Sequence, residues 1–216
     1  MSNKPASSSV SSRPGYWDQA CCQLTDQDRV MGRIIPQFGA GCIESRGDAF
    51  TTLARSVVGQ QISVKAAQSV WGRFESLARR MTPQAVLRLK VDDMRAAGLS
   101  ARKVEYLVDL ALHFDGEKLK PDRWTTMDDE SIIKELVAIR GIGRWTAEMF
   151  LIFHLLRPNV LPLDDVGLIK GISLNYFSGE PVSRSDAREV AQAWQPWCSV
   201  ATWYIWRSLD PVPVAY

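Results

Sequence analysis

Histidine is nearly absent: the 216 residues contain two, His113 and His154. A histidine-built metal centre and a Ser-His-Asp triad are therefore not expected. The four cysteines, Cys21, Cys22, Cys42 and Cys198, have neither metal-ligand spacing nor the look of a disulfide framework, which suits a reducing cytoplasm. No apolar run approaches the roughly 18 residues of a membrane span. The Ser-rich N-terminus has no apolar stretch of the secretory kind. No membrane partner is expected, and the expected location is the cytoplasm, with nucleoid association in a bacterium. Strand-like alternation is scarce, and there is no internal repeat and no heptad run.

What remains is an ordinary globular composition, 46% hydrophobic and 23% charged, which excludes a disordered or fibrous chain. The length suits one large domain or two small lobes sharing a core. Net charge is only +2, but it is unevenly spread. Between Arg55 and Lys103 ten Lys/Arg face three acids, whereas between Glu105 and Glu135 nine acids face four bases. The basic stretch reads either as solvated helix faces or as a surface turned toward phosphates.

Residues 1–15 lack apolar periodicity and are expected to be a disordered tail. Thereafter helix follows helix. Val64, Ala67, Val70, Trp71, Phe74, Leu77 and Ala78 recur at helical spacing on one face. Thr82-Pro83 reads as an N-cap with proline at the first helical position. Ser100, Asp128 or Asp129, and Ser185 are further cap candidates, and Pro196 opens a last, Trp-rich helix. The polar stretch around Gly116 and Pro121 is expected to connect two lobes. The fold class is all-α and irregular, with many short helices.

One segment carries chemistry. In Glu135–Phe150, ELVAIRGIGRWTAEMF, a helix meets Gly141-Ile142-Gly143 and a second helix begins. The second helix starts at the turn, so its unpaired N–H groups and positive dipole end face outward, as a phosphate site would require. An ordinary helical hairpin turning on glycines reads equally well at this stage. Asp164 and Asp165 stand just before a further apolar helix. Either can cap it, and Asp164 is the expected cap. Glu148 is expected to be solvated, and His113 and His154 to be packing or surface residues.

LVAIRGIGRWTAEMF followed by VLPLDDVGLIKG resembles the helix–hairpin–helix DNA glycosylase superfamily. VVGQQISVKAAQ, GLSARKVEYLVDLA and WQPWCSVATWYIW narrow the resemblance to the DNA-3-methyladenine glycosylase II group, over about Phe50 to Leu209. The resemblance implies a two-lobed helical module over 16–216 with a cleft between its lobes. A helical lobe would span about 50–135. A second lobe would carry the hairpin and catalytic aspartate over about 136–210, together with the N-terminal segment.

It implies that Asp165 is the catalytic carboxylate, stabilising the oxocarbenium charge as an N-glycosidic bond breaks. Trp145 and Trp206 would wall the base pocket, where an indole face attracts a cationic alkylated purine. Met149, one turn from Trp145, and Val166, next to Asp165, would complete it in place of aromatics found in some members. Gln61 would be the wedge that fills the gap left by the flipped base, although a polar cap before the Ser63 helix is the plainer reading of that loop.

The amides of Gly141, Gly143 and Thr146 would hold a DNA phosphate. The carbonyls of Val137, Ile139 and Ile142 would bind Na+ or K+, only with DNA present. Trp145 stands where members that also cleave the backbone carry a Schiff-base lysine, so no lyase activity is expected. Only Cys198 lies where some members ligate an iron–sulfur cluster, so no cluster is expected. The expected function is release of alkylated purines from duplex DNA in base excision repair, by a monomer without cofactor. The rivals are a non-enzymatic hairpin module and a glycosylase of different lesion specificity.

Overall fold

A computed structural model describes residues 13–210 except 40, 46 and 117. Most of the expected N-terminal tail, residues 1–12, lies outside the described residues. No strand occurs among the described residues. The helices are α1 (Trp17–Gln27), α2 (Arg29–Ile34), α3 (Ala49–Gly59), α4 (Val64–Ser76), α5 (Pro83–Leu87), α6 (Val91–Ala96), α7 (Ala101–Asp115), α8 (Asp129–Val137), α9 (Arg144–Phe153), α10 (Val166–Tyr176), α11 (Arg184–Val190) and α12 (Cys198–Leu209). Short 3-10 turns cover Ile35–Gln37, Pro121–Thr125 and Ala191–Trp194.

The local signals act where a side-chain oxygen can take an otherwise unpaired amide. Ser63, Thr82, Ser100 and Asp128 cap α4, α5, α7 and α8. Two boundaries differ from expectation. Ser183, not Ser185, caps α11, because Ser183 and Asp186 cap each other's backbone reciprocally, which a lone serine cannot match. Pro196 lies before the last helix, which starts at Cys198.

Helices α3, α5 and α6 gather around α7 and α4 packs on α3, while α1 and α2 pack with α12, which in turn lies against α10. Helix α8 pairs with α9, and α9 reaches α3, so one continuous core runs through both groups. Asp28 ties the N-terminus to this core: it caps α2 and accepts from Tyr176 Oη at 2.8 Å and Trp194 Nε1 at 3.1 Å.

Two glycines set how closely α12 approaches α10. A Cβ on Gly171 would stand 2.2 Å from Ile205 Cγ2, and one on Gly167 would stand 3.3 Å from the Trp206 ring. They are one turn apart and share a face, so the C-terminal helix can lay Trp206 over the N-terminus of α10. The segment leading to α10 is fastened to α12 as well. Ser199 Oγ donates to Arg157 O at 2.5 Å and accepts from Val160 N at 2.9 Å. These contacts hold the chain that delivers Asp165.

Candidate active site and hairpin

Asp165 is the N-cap of α10, accepting from Leu168 N at 2.6 Å through Oδ1. Asp164, the expected cap, instead makes an ion pair with Arg184 Nη2 at 2.6 Å and is half-exposed. The correction has a physical reason: a cap must turn back over its own helix, and an arginine from the start of α11 holds Asp164 turned outward.

The Asp165 carboxylate is 8% exposed. Trp145 Nε1 donates to Oδ2 at 2.8 Å, and Trp206 Nε1 donates to Oδ1 at 2.8 Å. An ionised carboxylate has about four acceptor directions. Three N–H groups occupy three of them, which fixes both oxygens and leaves one direction on Oδ2. Of the eight tryptophans, Trp17, Trp71, Trp124, Trp194, Trp197 and Trp203 are buried; Trp145 and Trp206 are half-buried. The ring of Trp206 is backed by Phe153, stacked at 5.8 Å and 14°. The two indoles thus turn their N–H edges to the carboxylate and keep part of their surface open. Met149 follows one turn along α9 from Trp145 and is buried.

The hairpin between α8 and α9 is built around its first glycine. Gly141 has φ +85°, and a Cβ there would stand 2.1 Å from the Tyr106 ring of α7. No other residue fits both conditions. Gly143 caps α9 without any side-chain acceptor, the first turn of α9 holds no acid, and a Cβ at Gly143 would meet nothing within 4 Å. The start of α9 therefore has the open space and backbone donors that an anion needs. The Thr146 side chain is buried, so any contact from this residue to an outside anion must come from its amide.

Residues 54–197 match the profile of the HhH-GPD superfamily base excision DNA repair protein. The chain belongs to the HhH-GPD superfamily. Within it the chain falls in the DNA-3-methyladenine glycosylase group. It is 31% identical over 189 residues to DNA-3-methyladenine glycosylase 1 of Schizosaccharomyces pombe, covering 86% of this chain and 83% of that one. A solved DNA-3-methyladenine glycosidase from Bacillus halodurans superposes with TM-score 0.82 at 33% identity, over 88% of this chain and 89% of its own. The S. pombe glycosylase Mag1 in complex with abasic DNA superposes with TM-score 0.74 at 28% identity, over 88% and 96%. The chain spans 59% and 57% of two Bacillus subtilis relatives. As an HhH-GPD glycosylase it is a DNA-binding enzyme of base excision repair.

The remaining expected site residues of this HhH-GPD chain divide. Gln61 lies at the exposed start of the loop between α3 and α4, with a left-handed φ of +58° that is uncommon for any residue but glycine. Its neighbours Ile62 and Val64 are 39% and 66% exposed. Val166, expected in the base pocket, is 80% exposed. It lines a groove of about 510 Å³ with Leu163, Ile169, Lys170 and Val182, and neither Asp165 nor the two indoles form its walls.

Glu148, expected in solvent, is buried at 4% exposure. Its Oε1 accepts from Arg144 Nε at 2.9 Å, while its Oε2 has no hydrogen-bond partner among the described residues. Burial pushes its carboxyl above the ordinary range. Arg144 also pairs with Glu130 of α8, and this contact raises its own pKa. Sequence reasoning passed over three residues that build the site: Gly167 and Gly171, visible only as a four-residue spacing, and Gln60, whose side chain reaches the hairpin.

Proposed function

We propose that this chain is a monofunctional DNA glycosylase that hydrolyses the N-glycosidic bond of alkylated purines, of the 3-methyladenine and 7-methylguanine type, in duplex DNA, acting as a monomer. One observation carries the reading: a nearly buried carboxylate, immobilised by two indole N–H groups and a helix amide, between the two tryptophans that stay half-open.

The chemistry follows from the charge. As the C1′–N bond breaks, its electron pair leaves with the base, which departs neutral if alkylation had made it cationic. The sugar is left as an oxocarbenium ion. A fixed anion beside it stabilises this charge without reorganising at the moment of reaction. The remaining acceptor direction on Oδ2 can orient a water molecule. Its oxygen bonds to C1′, and one of its protons passes to Asp165 and from there to solvent, giving an abasic site. Trp145, Trp206 and Met149 are assigned to the pocket, where indole faces favour a cationic base by about 0.5–2 kcal/mol. Gln61 is assigned as the wedge, and the amides of Gly141, Gly143 and Thr146 as phosphate donors.

Trp145 in the lysine position supports hydrolysis without strand cleavage. Borohydride treatment on a lesion duplex is expected to trap no covalent adduct, and a trapped adduct would overturn this part. A Na+ or K+ ion at the hairpin fits the donor chemistry. Ile139 O accepts one hydrogen bond, from Ile142 N at 3.1 Å. Val137 closes α8, whose last carbonyls lack i+4 partners. Hard neutral oxygens of this kind suit such ions, and the bound ion would offset phosphate charge. The deciding experiment measures base release from duplexes carrying one defined lesion each, with the wild type beside Asp165→Asn. Release by the wild type and its loss in the variant is expected; equal release would sink the assignment.

A further inference from the structure

Gln60 ends α3, and its side chain leaves the loop that carries Gln61 to meet the hairpin. Its Nε2 donates to Gly141 O at 2.9 Å, across 81 positions of sequence. A carbonyl can only accept, so the amide must present its nitrogen here. Both ends of this bond rest on α7. On the loop side, Lys103 Nζ donates to Val58 O at 2.7 Å. On the hairpin side, Gly141 packs on the Tyr106 ring, and Arg140 N donates to Asp109 Oδ2 at 2.8 Å. The backbone of Gln61, immediately after Gln60, is left-handed. A non-glycine residue keeps that conformation only where its surroundings hold it. The Gln60–Gly141 bond and the Ser63 cap flank it on its two sides.

We infer that Gln60 is a positioning residue that couples the hairpin to the Gln61 loop, so that the element gripping a DNA phosphate also sets the wedge that opens the duplex. This deepens the glycosylase reading and rests on it. The coupling acts through Gln61 and touches neither Asp165 nor the base. It should therefore matter where the base is hard to extrude and little where it is already loose.

Gln60→Glu tests this by keeping the length of the side chain while facing the Gly141 carbonyl with an acceptor. Single-turnover base release is measured for one lesion in a matched pair and in a mismatched pair. Affinity for a duplex with a tetrahydrofuran abasic site and thermal melting are measured alongside. Release from the matched pair is expected to fall about tenfold, as loss of one positioning hydrogen bond allows. From the mismatched pair it should fall less than about threefold, because that base is already partly unpaired.

Abasic-site affinity should stay within about twofold, since phosphate contacts dominate it. Gln60→Glu combined with Gln61→Ala should be no slower than Gln61→Ala alone, the non-additivity expected of groups acting in one step. An equal loss on both substrates, or losses that multiply in the double variant, would overturn the coupling. No release by the wild type from either duplex would overturn the glycosylase reading itself. Should the acidic variant melt early, Gln60→Met, which is neutral, similar in length and has no donor, carries the same expectations.

Discussion

Trp145 Nε1 lies 2.8 Å from Asp165 Oδ2, and the bond joins the starts of two helices, α9 and α10. Trp206 closes the other oxygen at the same distance from a third helix. Each indole turns its N–H edge to the carboxylate and leaves part of its ring open, which is the surface the proposed function assigns to the base. The arrangement depends on glycine. A side chain at Gly171 would force Ile205 of α12 to shift, and a Cβ at Gly167 would press on the Trp206 ring at 3.3 Å and Asp165 Oδ1 at 3.1 Å.

The observed role of Asp165 as a cap and its proposed role as the catalytic group separate two substitutions. Asparagine is as good an N-cap as aspartate, but its amide nitrogen would face Trp145 Nε1 donor to donor, so Asp165→Asn should keep the cap and lose about 1.5–3 kcal/mol for that one bond. Base release should nevertheless fall by at least about 100-fold, the scale of losing one fixed electrostatic stabiliser in a reaction centre. Asp165→Ala should lose release equally and melt lower than Asp165→Asn, by about 1–2 kcal/mol more for the missing cap. Excision assays and denaturation curves on both variants check this.

Removing the indole N–H while retaining an aromatic face isolates the first duty of each tryptophan. In Trp206→Phe and Trp145→Phe an Asp165 oxygen loses a donor. A bond to a charged group is worth about 1.5–3 kcal/mol. Maximal single-turnover rates should fall about tenfold or more in each variant. Affinity for abasic-site DNA, which offers no base to the pocket, should hardly change. A rate loss matched by an equal loss of abasic-site affinity would point to a collapsed site instead.

Much of the framework is written locally. Ser63, Thr82, Ser100 and Asp128 cap the helices their positions suggest, because a cap involves only the next three residues. Gly141 reads correctly as a turn for the same reason. The choice between Asp164 and Asp165 could not be made locally, since both can cap; Arg184, twenty residues further on, decides it. Glu148 looked solvated by polarity alone, and its burial follows from how Arg144 and Glu130 close over the start of α9. Gln60 carries no local sign that its partner is a carbonyl in the hairpin. The resemblance places Val166 in the pocket through a position that is aromatic in some members, and here that side chain is 80% exposed beside Asp165.

Glu148 gives the fold a pH dependence of definite sign. Burial raises its carboxyl above an ordinary value near 4.5, so the folded chain binds the proton more tightly than the unfolded chain. The stability this contributes is complete below about pH 4.5 and is lost as pH rises through the raised value. Glu148→Gln abolishes that titration. Relative to the wild type, the variant should gain stability between pH 4.5 and pH 8, by about 1.4 kcal/mol for each unit that the carboxyl is raised. Urea denaturation of both proteins at the two pH values checks it, and a difference that runs the other way would show that the Arg144 pair dominates.

The two hairpin glycines should fail in opposite ways. Gly141 combines a φ of +85° with a ring 2.1 Å from any added Cβ. Gly141→Ala must either strain the backbone or displace Tyr106, and should cost about 2 kcal/mol or more. Gly143 has φ −91° and open space where a Cβ would go. Gly143→Ala should cost under about 1 kcal/mol, because alanine is only the poorer N-cap. Its methyl group would enter the open space beside Gly143, where the proposed function seats a phosphate, so affinity for abasic-site DNA should fall about tenfold, the scale of one charge-assisted hydrogen bond. Melting curves and binding isotherms on the two variants separate the glycine that shapes the turn from the glycine that lets a phosphate approach it.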